Sequence, residues 1–253
     1  MNKRIMLTAL VLAVISLAPA SGQEHKQSGH WGYEGAEGPD HWGDLSASFG
    51  ACKTGKEQSP INIGKTEKGN LPAIQFDYKP APLAVLDNGH TIQVNYAPGS
   101  VIEVGGHRYE LKQFHFHHPS ENEVAGKSFP LELHLVHADA DGKLAVVGIL
   151  LSTGPKGNST LQSVWDNLPK EKNQEAKPSG ITINAAELLP KEHAYYSFSG
   201  SLTTPPCTES VTWLVVKAQG EVSAAQLSVF AQLYPHNARP VQPQNSRVVR
   251  ESN

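Results

Sequence analysis

No stretch constrains this chain more than Gln113-Phe114-His115-Phe116-His117. Residues two apart on a β-strand face the same way. The two phenylalanines therefore share one face, and Gln113, His115 and His117 share the other. A row of benzyl groups belongs in a core. A row of imidazoles has to be hydrogen-bonded or has to hold something. The stretch thus reads as a strand with apolar packing behind it and polar chemistry in front. Downstream, Glu132-Leu133-His134-Leu135 alternates the same way, with Glu132 and His134 on one face. If the two strands are neighbours, three imidazoles converge on one point.

Three neutral imidazoles with one position left open describe a catalytic zinc site, whereas a structural site closes with four protein ligands. Gln113 and Glu132 stand where they can accept hydrogen bonds from such imidazoles and fix their tautomers. The competing reading is a set of satisfied core or surface histidines. His118 and His137 take that reading, as do His25, His30, His107 and His193. On spacing alone both readings stay open for His115, His117 and His134, because His-x-His on a strand is only moderately specific.

The rest of the chain fits a sheet protein. Residues 91–96 and 101–104 alternate, and Gly105-Gly106 ends the second run. Residues 109–117 and 131–137 are the strands that carry the histidines. Residues 144–151 and 211–216 are continuous apolar runs of the kind buried on both faces. Two helices are expected, one over residues 158–167 capped by Asn158 or Ser159, and one over 223–233 capped by Ser223. No repeat or linker divides residues 30–250. The expected fold is mainly β (α+β): a single domain on a large, twisted, mostly antiparallel central sheet, with short helices and loops at the periphery.

Lys3 and Arg4, the apolar run from Ile5 to Ala18 and the small residues Ala18-Pro19-Ala20 have the layout of a cleaved secretory signal. An uncleaved anchor is the alternative, but the run is short for a membrane span. We expect a signal peptide over residues 1–22 and a catalytic domain over 23–253. Removing the signal leaves nineteen basic residues against twenty-four acidic ones, a formal charge of −5 with no basic cluster. Nothing in that distribution favours nucleic acid. The two cysteines, Cys52 and Cys207, suggest one disulfide in a secreted chain; two free buried thiols are the alternative.

The residues around the histidines resemble the alpha-class carbonic anhydrases, in particular a secreted bacterial branch. The resemblance rests on residues 113–117, Glu132-Leu133-His134-Leu135-Val136-His137 and Gly200-Ser201-Leu202-Thr203-Thr204-Pro205-Pro206. It extends to His30-Trp31-Gly32-Tyr33, residues 58–63, Asn88-Gly89-His90 and Asn237-Ala238-Arg239-Pro240, in order along the chain. His118-Pro119 stands where animal members usually carry Trp-Gly, Gln93 where many carry Asn, and Ala238 in place of a Trp.

The resemblance implies reversible hydration of carbon dioxide to bicarbonate and a proton. It implies Zn2+ on His115, His117 and His134, with zinc-bound hydroxide attacking CO2. Gln113 and Glu132 would orient the ligands. Thr203 would act as gatekeeper, donating to an ionised Glu121. Val136, Val146, Leu202, Thr204 and Trp213 would form the substrate pocket. His90 would carry the proton to solvent, over waters ordered by Tyr33, Asn88 and Gln93. A Cys52–Cys207 disulfide, cis bonds at Ser59-Pro60 and Pro205-Pro206, and inhibition by sulfonamides and small anions are also implied. So is a periplasmic or otherwise secreted location, and members of that branch are often homodimers, although the sequence does not distinguish monomer from dimer. The alternative is a catalytically silent relative serving as a binding module. Such relatives usually lose a zinc histidine, and all three are present here. A zinc-storage protein would carry histidine-rich loops, which this chain lacks.

Overall fold

The computed structural model describes residues 29–253. The expected signal peptide lies outside the described residues. Eight strands carry the argument: β1 (Val85–Asp87), β2 (Ile92–Asn95), β3 (His107–His117), β4 (Leu131–Ala138), β5 (Leu144–Thr153), β6 (Gln174–Ala176), β7 (Tyr195–Ser201) and β8 (Glu209–Val222). They belong to one twelve-stranded sheet and follow each other in space as β6-β1-β2-β3-β4-β5-β8-β7. Arg250–Glu251 and Glu67–Lys68 extend its far edge.

Most of the pairings are antiparallel, as expected, but the middle is not. β5 runs parallel to β8, pairing Ala145 with Thr212 and Val146 with Trp213. Parallel strands are usually covered on both faces, and β5 accordingly has seven successive buried residues. β8 runs well past the anticipated 211–216, from Glu209 to Val222, because its far half continues alongside β5 to Val222.

Period-two alternation sorts the side chains of the central strands into two layers. Behind the sheet, Phe114, Phe116, Leu133, Leu135, Val147, Ile149, Leu214 and Val216 join the main core. Two helices close it, α1 (Ser159–Trp165) and α2 (Ala224–Leu233). Phe116 packs against Trp165 and Phe230, with ring centroids 4.9 and 5.8 Å apart. In front, Val146, Leu150, Trp213, Val215 and Phe198 form a second, smaller apolar cluster with Ile61, Ile63 and Phe129. Burying each large side chain contributes about 1.5–3 kcal/mol, so the rear layer carries most of the stability.

The caps follow the sequence signals. Asn158 Oδ1 accepts from Thr160 N and Leu161 N at 2.9 and 3.0 Å. Ser223 and Gln226 form a capping box on α2. The Cys52–Cys207 disulfide is formed, across 155 residues. Cis peptides occur at Ser59-Pro60 and Pro205-Pro206 and, unanticipated, at His118-Pro119.

Candidate metal centre

β3 and β4 are antiparallel neighbours, with His115 directly opposite His134 and His117 opposite Glu132. Facing residues point to the same side of a sheet, so the three imidazoles meet in front of it. One ligand-capable nitrogen from each lies within 4.8 Å of the others. A bulge at Lys112, between the pairs Val136–Gln113 and His137–Leu111, lets His137 face the rear core. There it shares a hydrogen bond of 2.8 Å with the Tyr78 hydroxyl. His137 is therefore the satisfied core histidine that the sequence suggested.

Two of the three converging rings have one nitrogen hydrogen-bonded to a protein acceptor. The third has a carboxylate oxygen close to one nitrogen, without the alignment of a hydrogen bond. His115 Nδ1 donates to Gln113 Oε1 at 2.8 Å. His117 Nδ1 donates to the backbone oxygen of Asn237 at 2.8 Å. His134 Nε2 lies 3.0 Å from Glu132 Oε1. These partners leave Nε2 of His115, Nε2 of His117 and Nδ1 of His134 to face the common point. His117 Nε2 is buried without a hydrogen-bond partner. An orphaned imidazole lone pair is costly in a protein interior, and a metal ion removes that cost. Three neutral nitrogen donors on one side suit a tetrahedral zinc with a fourth position open.

Glu132 is fully buried and receives Glu121 N, Asn122 N and Asn122 Nδ2 at 2.8, 2.8 and 2.7 Å. It is a carboxylate locked on three donors, presenting its remaining capacity to His134. Gly148, opposite His134, makes room for it: a Cβ there would sit 3.1 Å from Glu132 Oε1. Burial works against charge on His134, but Glu132 and then Glu121 outweigh it and raise its pKa. Burial, then His134, holds His115 at about 3, and His117 also lies well below the ordinary imidazole value. The cluster cannot accept three protons, which suits ligands that must be neutral to bind metal.

Glu121 lies behind the histidines. Its Oε1 accepts from Arg239 N at 2.8 Å, while Oε2 is buried without a hydrogen-bond partner. Burial pushes its pKa up to about 7, opposed by His134, the Arg239 amide and the Thr203 hydroxyl. Thr203 is thus near enough to influence the carboxyl, though no hydrogen bond joins it to Oε2 in this geometry. The Thr203 loop is anchored by the disulfide, by Cys207 N to Thr204 O at 2.9 Å and by Trp213 Nε1 to Ser201 O at 3.0 Å. Gly200 permits that close approach, since a Cβ would lie 2.2 Å from Ser59 Oγ and 2.7 Å from Trp213 Cδ1.

Val136, Val146 and Trp213 stand in one cross-strand row with Gln113, immediately beside the His115–His134 row. Leu202 packs on the same cluster. His90 sits in an Asn88-Gly89-His90 turn, with Gly89 at φ +85° and Asn88 Oδ1 accepting from His90 N and Thr91 N. Its ring stacks on Trp31, centroids 3.7 Å apart and 9° from parallel. Burial, then the charges of His30 and Lys172, lowers its pKa. Trp31, Tyr33, Asn88, His90 and His236 line a cleft of about 610 Å³. Burial keeps the Tyr33 phenol protonated, with its pKa raised further by Glu121. Gln93 lies on β2 opposite His115.

Asn237 has no role assigned from sequence, yet it joins the two parts of the site. Besides its carbonyl on His117, it donates from Nδ2 to His90 O and Phe116 O at 3.1 and 2.9 Å, and accepts from His118 N at 2.7 Å. The contact to His117 uses a backbone atom, which no residue type announces. Arg239 was equally silent: it donates to Gln58, Ser59 O and Cys52 O and lies over the Trp42 ring.

A family model described as eukaryotic-type carbonic anhydrase matches residues 37–253. A carbonic anhydrase of Neisseria gonorrhoeae is 46% identical over 247 residues, covering 97% of this chain and 96% of that protein. Among solved structures, a hyperthermostable carbonic anhydrase from an active hydrothermal vent chimney superimposes with a TM-score of 0.86 at 48% identity, over 88% of this chain and all of the other. The carbonic anhydrase of Thermovibrio ammonificans, in complex with the inhibitor sulfanilamide, gives 0.84 at 44% identity over the same shares.

Proposed function

The chain belongs to the eukaryotic-type, or alpha, carbonic anhydrase family, and we propose on that premise that it hydrates carbon dioxide reversibly with a zinc ion on His115, His117 and His134. The observation that carries this reading is the convergence of the three imidazoles, with one ligand-capable nitrogen of each within 4.8 Å of the others. His115 and His117 each have the other nitrogen in a hydrogen bond, and His134 has Glu132 beside its own. Zinc supplies there what it supplies in carbonic anhydrases generally, lowering the pKa of a bound water from about 15.7 to about 7.

The chain's own groups do the positioning. Glu121 Oε2 has capacity for one donor. A threonine hydroxyl carries a single proton. When Thr203 donates that proton to Glu121, only its lone pairs remain for the cavity. They then select a partner that presents a hydrogen and hold it in one orientation, a proximity effect on the reaction. Val136, Val146 and Leu202 have apolar side chains, and the one polar group of Trp213, its indole N–H, is taken up by Ser201 O, so none competes for the nucleophile, which suits an apolar substrate. Thr204 belongs to the same loop, where its backbone oxygen accepts from Cys207 N and closes the turn.

The product proton leaves through the cleft. His90 suits the task because imidazole loads and unloads near neutrality. Tyr33, Asn88 and Gln93 hold the waters between. His90→Ala lowers turnover in weak buffer, on the order of a hundredfold, and imidazole in solution restores it. Unchanged turnover in weak buffer would sink this role.

The disulfide favours an oxidising compartment, and no helix among the described residues is long and apolar enough to cross a membrane. Together with the expected signal, this supports a secreted, periplasmic enzyme. The decisive experiment is stopped-flow CO2 hydration by the mature chain, with and without a zinc chelator and a sulfonamide. The sulfanilamide complex of the Thermovibrio relative makes that inhibitor class the natural choice. Folded, zinc-loaded protein without hydration activity would instead favour a silent binding module.

A further inference from the structure

Asn88, on the cleft wall, begins a hydrogen-bonded row of side chains that runs through Gln93 and ends at the protein surface. Asn88 Nδ2 donates to Gln93 Oε1 at 3.4 Å. Gln93 Nε2 donates to Asn95 Oδ1 at 2.7 Å. Asn95 Nδ2 donates to Glu175 Oε1 at 2.8 Å. The other oxygen of Glu175 pairs with Lys177 at 2.6 Å. Glu175 lies on the edge strand β6 opposite Leu86, which in turn faces Gln93. Two strand spacings, about 10 Å, therefore separate Glu175 from Gln93.

A side-chain amide has an accepting end and a donating end, and rotating it by half a turn exchanges them. A carboxylate only accepts. Glu175 thus requires Asn95 to turn its NH2 outward, which turns Asn95 Oδ1 towards Gln93. Gln93 must answer with its own NH2, so its oxygen points inward, to Asn88 on the cleft wall. The inner end sets the same polarity independently. Asn88 Oδ1 is held by two backbone N–H groups, of His90 and Thr91, so its NH2 must face Gln93. Both ends agree, and each amide in the row has one orientation.

We propose that Glu175 is a positioning residue for proton exit, acting through Asn95 to keep the oxygen of Gln93 turned to Asn88, on the wall of the cleft that holds His90. This rests on the reading of His90 as the proton carrier. Without the carboxylate, Asn95 and Gln93 lose the outer constraint and sample both orientations. With a donor in its place, the row is contradictory. A lysine at position 175 demands the oxygen of Asn95, and the NH2 of Gln93 then confronts the NH2 of Asn88.

The test combines kinetics with a readout independent of turnover. In stopped-flow assays of the zinc-loaded protein in weak buffer, Glu175→Lys lowers kcat by about threefold to tenfold. It leaves kcat/KM for CO2 unchanged and is relieved by added imidazole. Glu175→Gln, which can still present an oxygen to Asn95, keeps most of the turnover. Glu175→Lys combined with Asn95→Asp recovers it, because a carboxylate at position 95 accepts from both neighbours. In 15N spectra of the full mature chain, with and without zinc, the Gln93 and Asn95 side-chain amide signals shift in Glu175→Lys and return in the double variant. Turnover and amide signals of Glu175→Lys like those of the parent would overturn the proposal. So would an equal fall in kcat and kcat/KM, which would mean damage to the metal site. If His90→Ala leaves weak-buffer turnover unchanged, the proton-exit reading fails on its own, while the amide signals still report whether Glu175 orients Gln93.

Discussion

On the rear of β3, Phe114 and Phe116 are fully buried among apolar neighbours. On the front, Gln113, His115 and His117 hang from the same backbone, each held by a hydrogen bond or facing the common point. The rear face is stabilised by area and volume, which many combinations of side chains can supply. The front depends on particular atoms at particular distances. The two faces should therefore fail in different ways: rear substitutions cost stability, and front substitutions cost metal or turnover at nearly constant stability.

The sharpest way to break that contrast is at His134. His134→Ala should abolish stoichiometric zinc and reduce hydration to background, while thermal unfolding of the metal-free protein changes little. Metal analysis beside calorimetry checks it, and a collapse of the fold would erase the distinction. Phe116→Ala should do the reverse, costing about 3–5 kcal/mol in urea unfolding while the folded fraction still binds one zinc per chain. Glu132→Gln comes next. It preserves shape but weakens the partner of His134, and should lower zinc affinity by about 10- to 100-fold in competition with a chelator.

The smallest effect is a pH dependence on the rear face. Burial holds His137 at about 4, against 6.5 for the free side chain. The unfolded chain therefore binds the proton more readily, so acid opposes folding and stability falls as the pH drops from about 6.5 towards 4. From pH 7 to pH 5 this one group should remove about 2 kcal/mol from the metal-free protein. His115 and His117 are shifted the same way and add to the slope. The His137 share is therefore the difference between the parent and His137→Gln in urea midpoints at the two pH values. Equal slopes in the two proteins would show that His137 titrates freely.

The two faces were unequally legible in the sequence. The rear was plain, because alternation and continuous apolar runs report burial directly, and the helix caps at Asn158 and Ser223 lie where their residue types announce them. On the front, the His-x-His spacing and the second strand made His115, His117 and His134 candidates without deciding between ligands and satisfied core histidines, and the resemblance added Glu121, Thr203 and His90 as expectations. The parallel pairing of β5 with β8 was not legible, since an apolar run does not encode the direction of its neighbour. The Asn237 carbonyl on His117 was not legible either, because every residue carries a carbonyl. The Asn88–Gln93–Asn95–Glu175 row was hidden for another reason: its members are ordinary surface polar residues until the register of three strands aligns them.

The Asn237 contact has a consequence for biosynthesis. His115, His117 and His134 leave the ribosome within twenty residues of one another, but the acceptor that fixes the His117 tautomer is translated 120 residues after it. A nascent or truncated chain can thus carry every donor and still lack the oriented site. On the proposed reading, high-affinity zinc loading would require the finished polypeptide. A chain ending before Asn237 should bind zinc far more weakly than the full one, which a chelator titration of the two would decide.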